Sequence, residues 1–285
     1  MIKIIKYFFE SIFIYLFFFI IKIIGLFLSR KLFSFIFKIV GPMIKSKKII
    51  KKNLLKFSKS LSNDERDQII SNMWSNYGMT FVEYIYLKRF KKETSHIKII
   101  GGEILDQISQ SDKPVIFISG HFANFELMSM EITKKKIKLA TIYRPLNNFF
   151  LNPFMEFLRK KYICKNQIKK GRKGVKESID YIRKNNSLAV MIDQRVSEGE
   201  KINFFNEEAL TSTLPAQLAF KFNLDIVPIF IERKLDNSFV MQVYEPINTK
   251  KFKNKLKLSK QLNQILEGMI LKNPNQWIWS HDRWK

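Results

Sequence analysis

Apolar and polar positions change rhythm twice along this chain. From Tyr7 to Leu28 almost every residue is apolar, and Glu10 and Lys22 carry the only charges. As one helix this run would be roughly 33 Å long, close to the hydrocarbon thickness of a bilayer. Glu10 lies near one end and reaches the interface, whereas Lys22 is deeper and has to snorkel. Both a crossing helix and an obliquely inserted one fit that pattern. Between Ser60 and Phe90 apolar residues recur every three and four positions, which predicts one long helix or two. Ser62 or Asn63 supplies its N-cap, with acidic residues in the first turn. Trp74, Tyr77, Phe81, Tyr84 and Ile85 read as its packing stripe.

From Ile97 onward the apolar runs shorten to strand length: PVIFISG (114–120), IKLATIY (137–143), SLAVMID (187–193) and LDIVPIFI (224–231). Helical patterns such as KGVKESIDYIRKN and LPAQLAFKF lie between them. This alternation predicts an α/β fold: a mostly parallel central sheet flanked by helices, preceded by an N-terminal membrane-anchoring helix and a helical region. The expected division is an anchor over 1–30, a membrane-proximal helical region over 31–96 and the α/β domain over 97–285, with 31–285 folding as one unit. In such sheets, sites form beyond the carboxyl ends of the strands. His121, Arg144 and Asp193 all stand at or just after such ends, so they are expected to converge on one rim.

Charge sharpens the picture only partly. Lys plus Arg number 50 against 25 Asp plus Glu, a formal charge of +25. A surplus of that size calls for an anionic partner, although abundant lysine, isoleucine and asparagine also follow from an AT-rich genome. Lys3 and Lys6 precede the apolar run, while Arg30, Lys31, Lys38, Lys45, Lys47 and Lys48 come after it. That asymmetry places the bulk of the chain on the cytoplasmic side. The segment MIKSKKIIKKNLLKF is either a helix lying on anionic headgroups or a lysine face over a core stripe. The first alanine is Ala123, which argues against a small-residue cleavage site after the apolar run. The single cysteine, Cys164, excludes an intrachain disulfide and any multi-cysteine metal site, and reads as a bystander on a surface helix. The aromatic and basic stretch NPNQWIWSHDRWK reads as a docked segment.

The chemistry centres on VIFISGHFANFELMSM, where His121 comes just after a strand and Glu126 stands five residues on. His96 and His281 lie in unrelated contexts, so no metal set forms; nor is there a G-x-S-x-G elbow, a P-loop or a G-x-G-x-x-G. Two readings stay open: a histidine that caps a helix, and a general base oriented by Glu126. If a helix starts at His121, Glu126 lies roughly one and a half turns on and reaches the ring. A carboxylate on one ring nitrogen fixes the tautomer and leaves the other to take a proton from a substrate hydroxyl. Such a pair suffices for moving an acyl group to an alcohol.

These residues, with others in order, resemble the bacterial lipid A biosynthesis acyltransferases (lauroyl/myristoyl type) of the lysophospholipid acyltransferase-like superfamily. The resemblance runs through IIKKNLLKF, SNDERDQII, NYGMTFVEY, GHFANFELM, YRPLNN, FLRKKY, KKGRKGVKESI, DQRVSEG, NFFNEEALTSTLPAQLA, VPIF and QWIWSHDRWK. It implies an enzyme on the cytoplasmic face of the bacterial inner membrane. The donor would be a fatty acyl chain on acyl carrier protein, without a cofactor or metal. The acceptor would be a hydroxyl on an anionic glycolipid, a lipid A precursor. His121 would be the base and Glu126 its partner. Arg144 and Arg159 are candidates for the oxyanion or a substrate phosphate, and Arg172 for the carrier protein or a phosphate. Asp193 and Gln194 would organise the rim, and Thr211 to Thr213 would cap the helix beginning near Pro215. Between Asp193 and Thr211 the match is loose, which leaves the acceptor and acyl length open. Two alternatives stand beside this reading: the same chemistry on another glycolipid, an ornithine-type lipid or a glycerolipid, and a non-catalytic basic protein binding membranes or nucleic acid. The dispersed basic residues and the lack of a nucleic-acid motif weigh against nucleic acid.

Overall fold

The structure, a computed structural model, describes residues 2–44 and 47–285; Lys45, one of the cations flanking the apolar run, lies outside them. In chain order the helices and strands are α1 (Ile2–Ile24), α2 (Leu26–Ile44), α3 (Lys47–Phe57), α4 (Asn63–Glu83), α5 (Leu87–Lys92), β1 (Ile97–Ile100), α6 (Gly102–Ser111), β2 (Ile116–Ser119) and α7 (Glu126–Lys134). They continue with β3 (Leu139–Tyr143), α8 (Asn152–Leu158), β4 (Asn166–Lys169), α9 (Arg172–Arg183), β5 (Ser187–Met191) and the hairpin β6 (Glu200–Phe204) and β7 (Glu207–Thr211). The last are α10 (Leu214–Phe222), β8 (Ile226–Arg233), β9 (Phe239–Val243) and α11 (Lys255–Lys272).

Seven strands form one sheet in the order β1-β9-β8-β2-β5-β3-β4. Every pairing is parallel except β8 with β9, so the expected mostly parallel α/β sheet is present. Its central strands are mostly apolar, because helices cover both faces. β2 lies between β5 and β8, and the ends of β2 and β5 therefore sit side by side, with Ser119 opposite Met191. That register brings His121, two residues past β2, within reach of Asp193, two residues past β5.

The apolar N-terminal run is divided. Gly25 takes a left-handed φ of 82°, ends α1 and starts α2, so the expected helix through Leu28 stops at Ile24. α2 lies against α4 at close range: a Cβ on Gly78 would come within 2.2 Å of the Phe33 carbonyl. α4 opens on a capping box in which Ser62 accepts from the Glu65 amide and Glu65 accepts from the Ser62 amide. Nor does α1 project freely. Asn148 donates to the Tyr7 carbonyl at 2.8 Å and Tyr86 to the Ile21 carbonyl at 3.0 Å, points roughly 20 Å apart on the helix. Phe8, Tyr15 and Phe18 pack on Phe150, Phe154 and Phe81. The outward faces of α1 and α2 remain apolar and exposed, with Phe19, Ile23, Phe27 and Phe35 among the residues there.

A buried ionic cluster ties these helices to the sheet. Glu83, at the end of α4, receives Arg30 Nε from α2 at 2.8 Å and Arg233 Nη2 from β8 at 3.0 Å. Asn124 donates to the same carboxylate at 2.9 Å. Burial alone would favour the neutral acid, but the two guanidiniums outweigh it and hold the Glu83 carboxyl below its usual range. Arg30 is thus an internal ion-pair partner, and the count of interfacial cations loses it. The 273–285 segment is docked as expected: Asn53 of α3 donates to the Trp279 and His281 carbonyls, and Trp277, Trp279 and Arg283 are fully buried. Cys164 is buried rather than on the surface, and burial pushes its thiol up to about 11.

Candidate active site

β2 ends at Ser119, and the chain turns at Gly120 into a loop that runs to Phe125. No helix begins at His121. Ala123 takes a left-handed φ of 43°, and its carbonyl accepts from Asn76 and Thr80 of α4, both at 3.2 Å. Helix α7 starts only at Glu126. The loop is held from a second side, where the Ala123 amide donates to the Gln276 carbonyl at 3.2 Å.

This geometry corrects the expected pairing. The carboxylate on the His121 ring belongs to Asp193, whose Oδ1 lies 2.8 Å from Nδ1. The other oxygen, Oδ2, accepts from the His121 amide at 2.7 Å and from the Trp277 indole at 3.0 Å. Asp193 is fully buried, and burial by itself would raise its pKa. The His121 ring, the His121 amide and the Trp277 indole outweigh that cost and hold the carboxyl below its ordinary value. A Cβ on Gly120 would meet Phe122 at 2.8 Å and Asp193 Oδ2 at 3.2 Å, so the turn leaves room for the carboxylate only as glycine. With Nδ1 bonded to Asp193, Nε2 is the nitrogen left for a substrate.

Glu126 faces elsewhere. Its Oε1 accepts from Arg159 Nε at 2.7 Å and from the Tyr84 hydroxyl at 2.6 Å. Arg159 also donates to the Tyr84 oxygen at 3.2 Å. Burial works against the Arg159 charge, but Glu126 and Tyr84 more than compensate and raise its pKa, while burial pushes the Tyr84 phenol up. Tyr84 therefore belongs to the site as well as to the packing stripe in which the sequence placed it. Arg159 begins a π-helical turn, Arg159–Ile163, directly after α8, and this turn aims it back across the cavity.

His121, Glu126, Arg144, Arg159 and Gln194 line one cavity of about 340 Å³ at the carboxyl ends of the strands. Its apolar wall includes Phe125, Ile142, Val190 and Leu214. Asp193 sits beneath this cavity, bonded to His121. Arg172 is not brought in: it opens α9 and is exposed. Among Thr211 to Thr213, Thr213 occupies the N-cap position of α10 but its side chain accepts from Gln217 at 2.7 Å, and it is Ser212 Oγ that accepts the Leu214 amide, at 3.4 Å.

Sequence reasoning missed His281, which lines the same cavity and accepts the Arg195 amide on Nε2 at 3.0 Å. It also missed Trp277 and Lys170. Only the clustering of aromatic and basic residues in QWIWSHDRWK signalled the first two. Among the described residues no group of three His, Cys, Asp or Glu is arranged to hold a metal.

Compared with known proteins, residues 2–285 match the family described as bacterial lipid A biosynthesis acyltransferase. The chain is 21% identical over 244 residues to the lipid A biosynthesis lauroyltransferase of Escherichia coli (strain K12), covering 84% of this chain and 78% of that protein. It is 21% identical over 229 residues to lipid A biosynthesis acyltransferase 2 of Shigella flexneri, covering 76% and 71%. Among solved structures, the 1-acyl-sn-glycerophosphate acyltransferase of Thermotoga maritima is similar at 13% identity and a TM-score of 0.43, over 89% of this chain and 100% of that one.

Proposed function

Given that the chain belongs to the bacterial lipid A biosynthesis acyltransferases, and is thus an acyltransferase for a lipid A-like substrate, we propose that it moves a fatty acyl chain from acyl carrier protein to a hydroxyl of a lipid A precursor. The observation that carries the mechanism is the 2.8 Å bond between His121 Nδ1 and Asp193. His121 Nε2 takes the proton of the acceptor hydroxyl, and the alkoxide-like oxygen attacks the thioester carbonyl. Asp193 fixes the ring tautomer and stabilises the imidazolium. The new C–O bond forms as the carbonyl electrons move onto oxygen. Collapse then breaks the C–S bond, and the leaving sulfur receives the proton from His121. No enzyme nucleophile is needed.

The tetrahedral oxyanion needs preorganised donors in a dry cavity. Arg159 is the group best held for that task, because Glu126 and Tyr84 fix its guanidinium from one side. In this reading Glu126 is a positioning residue that acts through Arg159. Arg144 and Gln194 contact substrate from the rim, and exposed Arg172 meets the acidic carrier protein. The apolar wall receives the acyl chain.

The N-terminal helices bring this site to the inner membrane. The bonds of α1 to the domain at both Tyr7 and Ile21 support an oblique helix over a crossing one. In this reading its exposed apolar face and that of α2 insert obliquely into the cytoplasmic leaflet, with the 148–154 segment bonded to α1 beside the lipid. The test is transfer from labelled acyl carrier protein thioesters to a tetra-acylated lipid A precursor by wild type and His121→Ala in detergent. Transfer by wild type alone is expected. Equal transfer by both would sink the role of His121, and transfer only to another lipid would replace the acceptor.

A further inference from the structure

The catalytic cavity shares a wall with a second basin of about 520 Å³. Arg144, Lys170, Val196 and His281 line both. The basin adds Arg195, Ser197 and Ser280. Topology concentrates positive charge here. β5, β3 and β4 are consecutive neighbours in the sheet, and each delivers a cation just past its carboxyl end: Arg195, Arg144 and Lys170 respectively. The Lys170 amide is bonded to the Tyr143 carbonyl at 2.8 Å, which places Lys170 beside Arg144. Arg195 is fixed by its amide on His281 and by its Nε on the Lys285 main-chain oxygen at 3.0 Å.

None of these three cations makes an ion pair with an Asp or Glu side chain among the described residues. Two acids share the basin wall, Glu198 and Asp282, and Asp282 is turned towards Lys52 at 3.9 Å. Burial chiefly, with the nearby Arg144 adding to it, lowers the Lys170 pKa against the opposing pull of Glu198. Several separated cationic donors plus the Ser197 and Ser280 hydroxyls suit an anion with several oxygens better than a single carboxylate.

We infer that this basin is a phosphate subsite, in which Arg144, Lys170 and Arg195 hold a phosphoryl group of a substrate while its reacting end lies at His121. The inference rests on the acyl-transfer reading for its role in turnover. Phosphate could come from two sources: a sugar phosphate on the acceptor, or the phosphodiester of a phosphopantetheine arm on the donor.

The experiment uses the full chain in detergent, with Lys170→Gln/Arg195→Gln as the test variant and Lys221→Gln, an exposed position on α10, as the charge control. Two substrate pairs are compared: acceptor with and without its sugar phosphate, and acyl-phosphopantetheine against acyl-pantetheine. In wild type the phosphorylated member of one pair has the higher kcat/KM. In the double variant that preference falls at least about tenfold, the scale of one charge-assisted contact, and the pair affected names the source. Unchanged preferences in both pairs overturn the subsite. A second measurement is independent of turnover: inorganic phosphate raises the melting temperature of wild type and of the control, and raises that of the double variant less. If wild type transfers no acyl chain, the acyl-transfer reading fails, and this shift alone then upholds the basin or, by its absence, overturns it.

Discussion

Arg159 and Glu126 are locked face to face, with Nε 2.7 Å from Oε1, so the glutamate of the His-x4-Glu pattern spends its charge on a guanidinium. The two should therefore act as one unit. Glu126→Gln and Arg159→Gln are each expected to lower kcat about a hundredfold, the scale of one oxyanion donor. The double variant should lose little more than either single one. A kcat measurement around this cycle decides the matter; fully additive losses would mean that Glu126 works somewhere other than through Arg159.

Asp193 holds the ring, and Trp277 holds Asp193. Asp193→Asn is expected to reduce turnover by about 10² to 10⁴ with the fold retained, in line with the loss of a general base's orienting group. Trp277→Phe removes one of the two donors on Oδ2 and should lower kcat about tenfold while KM moves little. Steady-state kinetics at saturating donor would check both. A Trp277→Phe effect confined to stability would show that the indole only fills space.

Glu83→Gln should be the costliest single change outside the cavity. It leaves Arg30 and Arg233 without their shared counter-charge in a buried position, a loss of about 3–5 kcal/mol. Denaturant unfolding of detergent-solubilised protein measures it. The Glu83 and Asp193 carboxyls are both held below the ordinary range. The stability they contribute is present above the ordinary carboxylate pKa, near 4, and is lost as the pH falls through their lower folded values.

His281 gives the fold a second acid sensitivity, at milder pH. Burial lowers its pKa, with His121, Arg283 and Lys170 adding to the effect and Asp193 opposing it. The unfolded chain, titrating near 6.5, takes up this proton first. The contribution of His281 is therefore complete above about pH 6.5 and declines as the pH drops towards the folded value. Between about pH 7 and 5.5 the melting temperature should fall, and His281→Gln, which keeps an acceptor for the Arg195 amide without titrating, should flatten that slope.

How much was legible in the sequence depended on range. Buried strands such as SLAVM announce themselves because both faces are covered, and their ends correctly placed His121, Arg144 and Asp193 on one rim. The Ser62 cap and the helix LPAQLAFKF were legible for a related reason: their signals lie within a few residues. Strands NQIK and EKINF were not, since edge and hairpin strands carry polar residues that periodicity cannot separate from loops. The partner of His121 was misread because spacing reports only local reach. Ala123 breaks the helical path to Glu126, and a carboxylate 72 positions away takes the ring instead. Trp277 and His281 reach the site through tertiary docking alone, which no short motif encodes.

The docking of residues 273–285 also sets an order of events during synthesis. The N-terminal apolar helices leave the ribosome first and can meet the membrane while the sheet is still being made. His121 and Asp193 emerge next, yet Trp277, which completes the hydrogen bonds on Asp193, is added on the order of ten seconds later. Until then the nascent chain has its histidine and aspartate present but Asp193 unbraced by the indole. On the proposed mechanism and membrane docking, such an enzyme would reach the bilayer before its site is complete, and its earliest moments there would pass without chemistry.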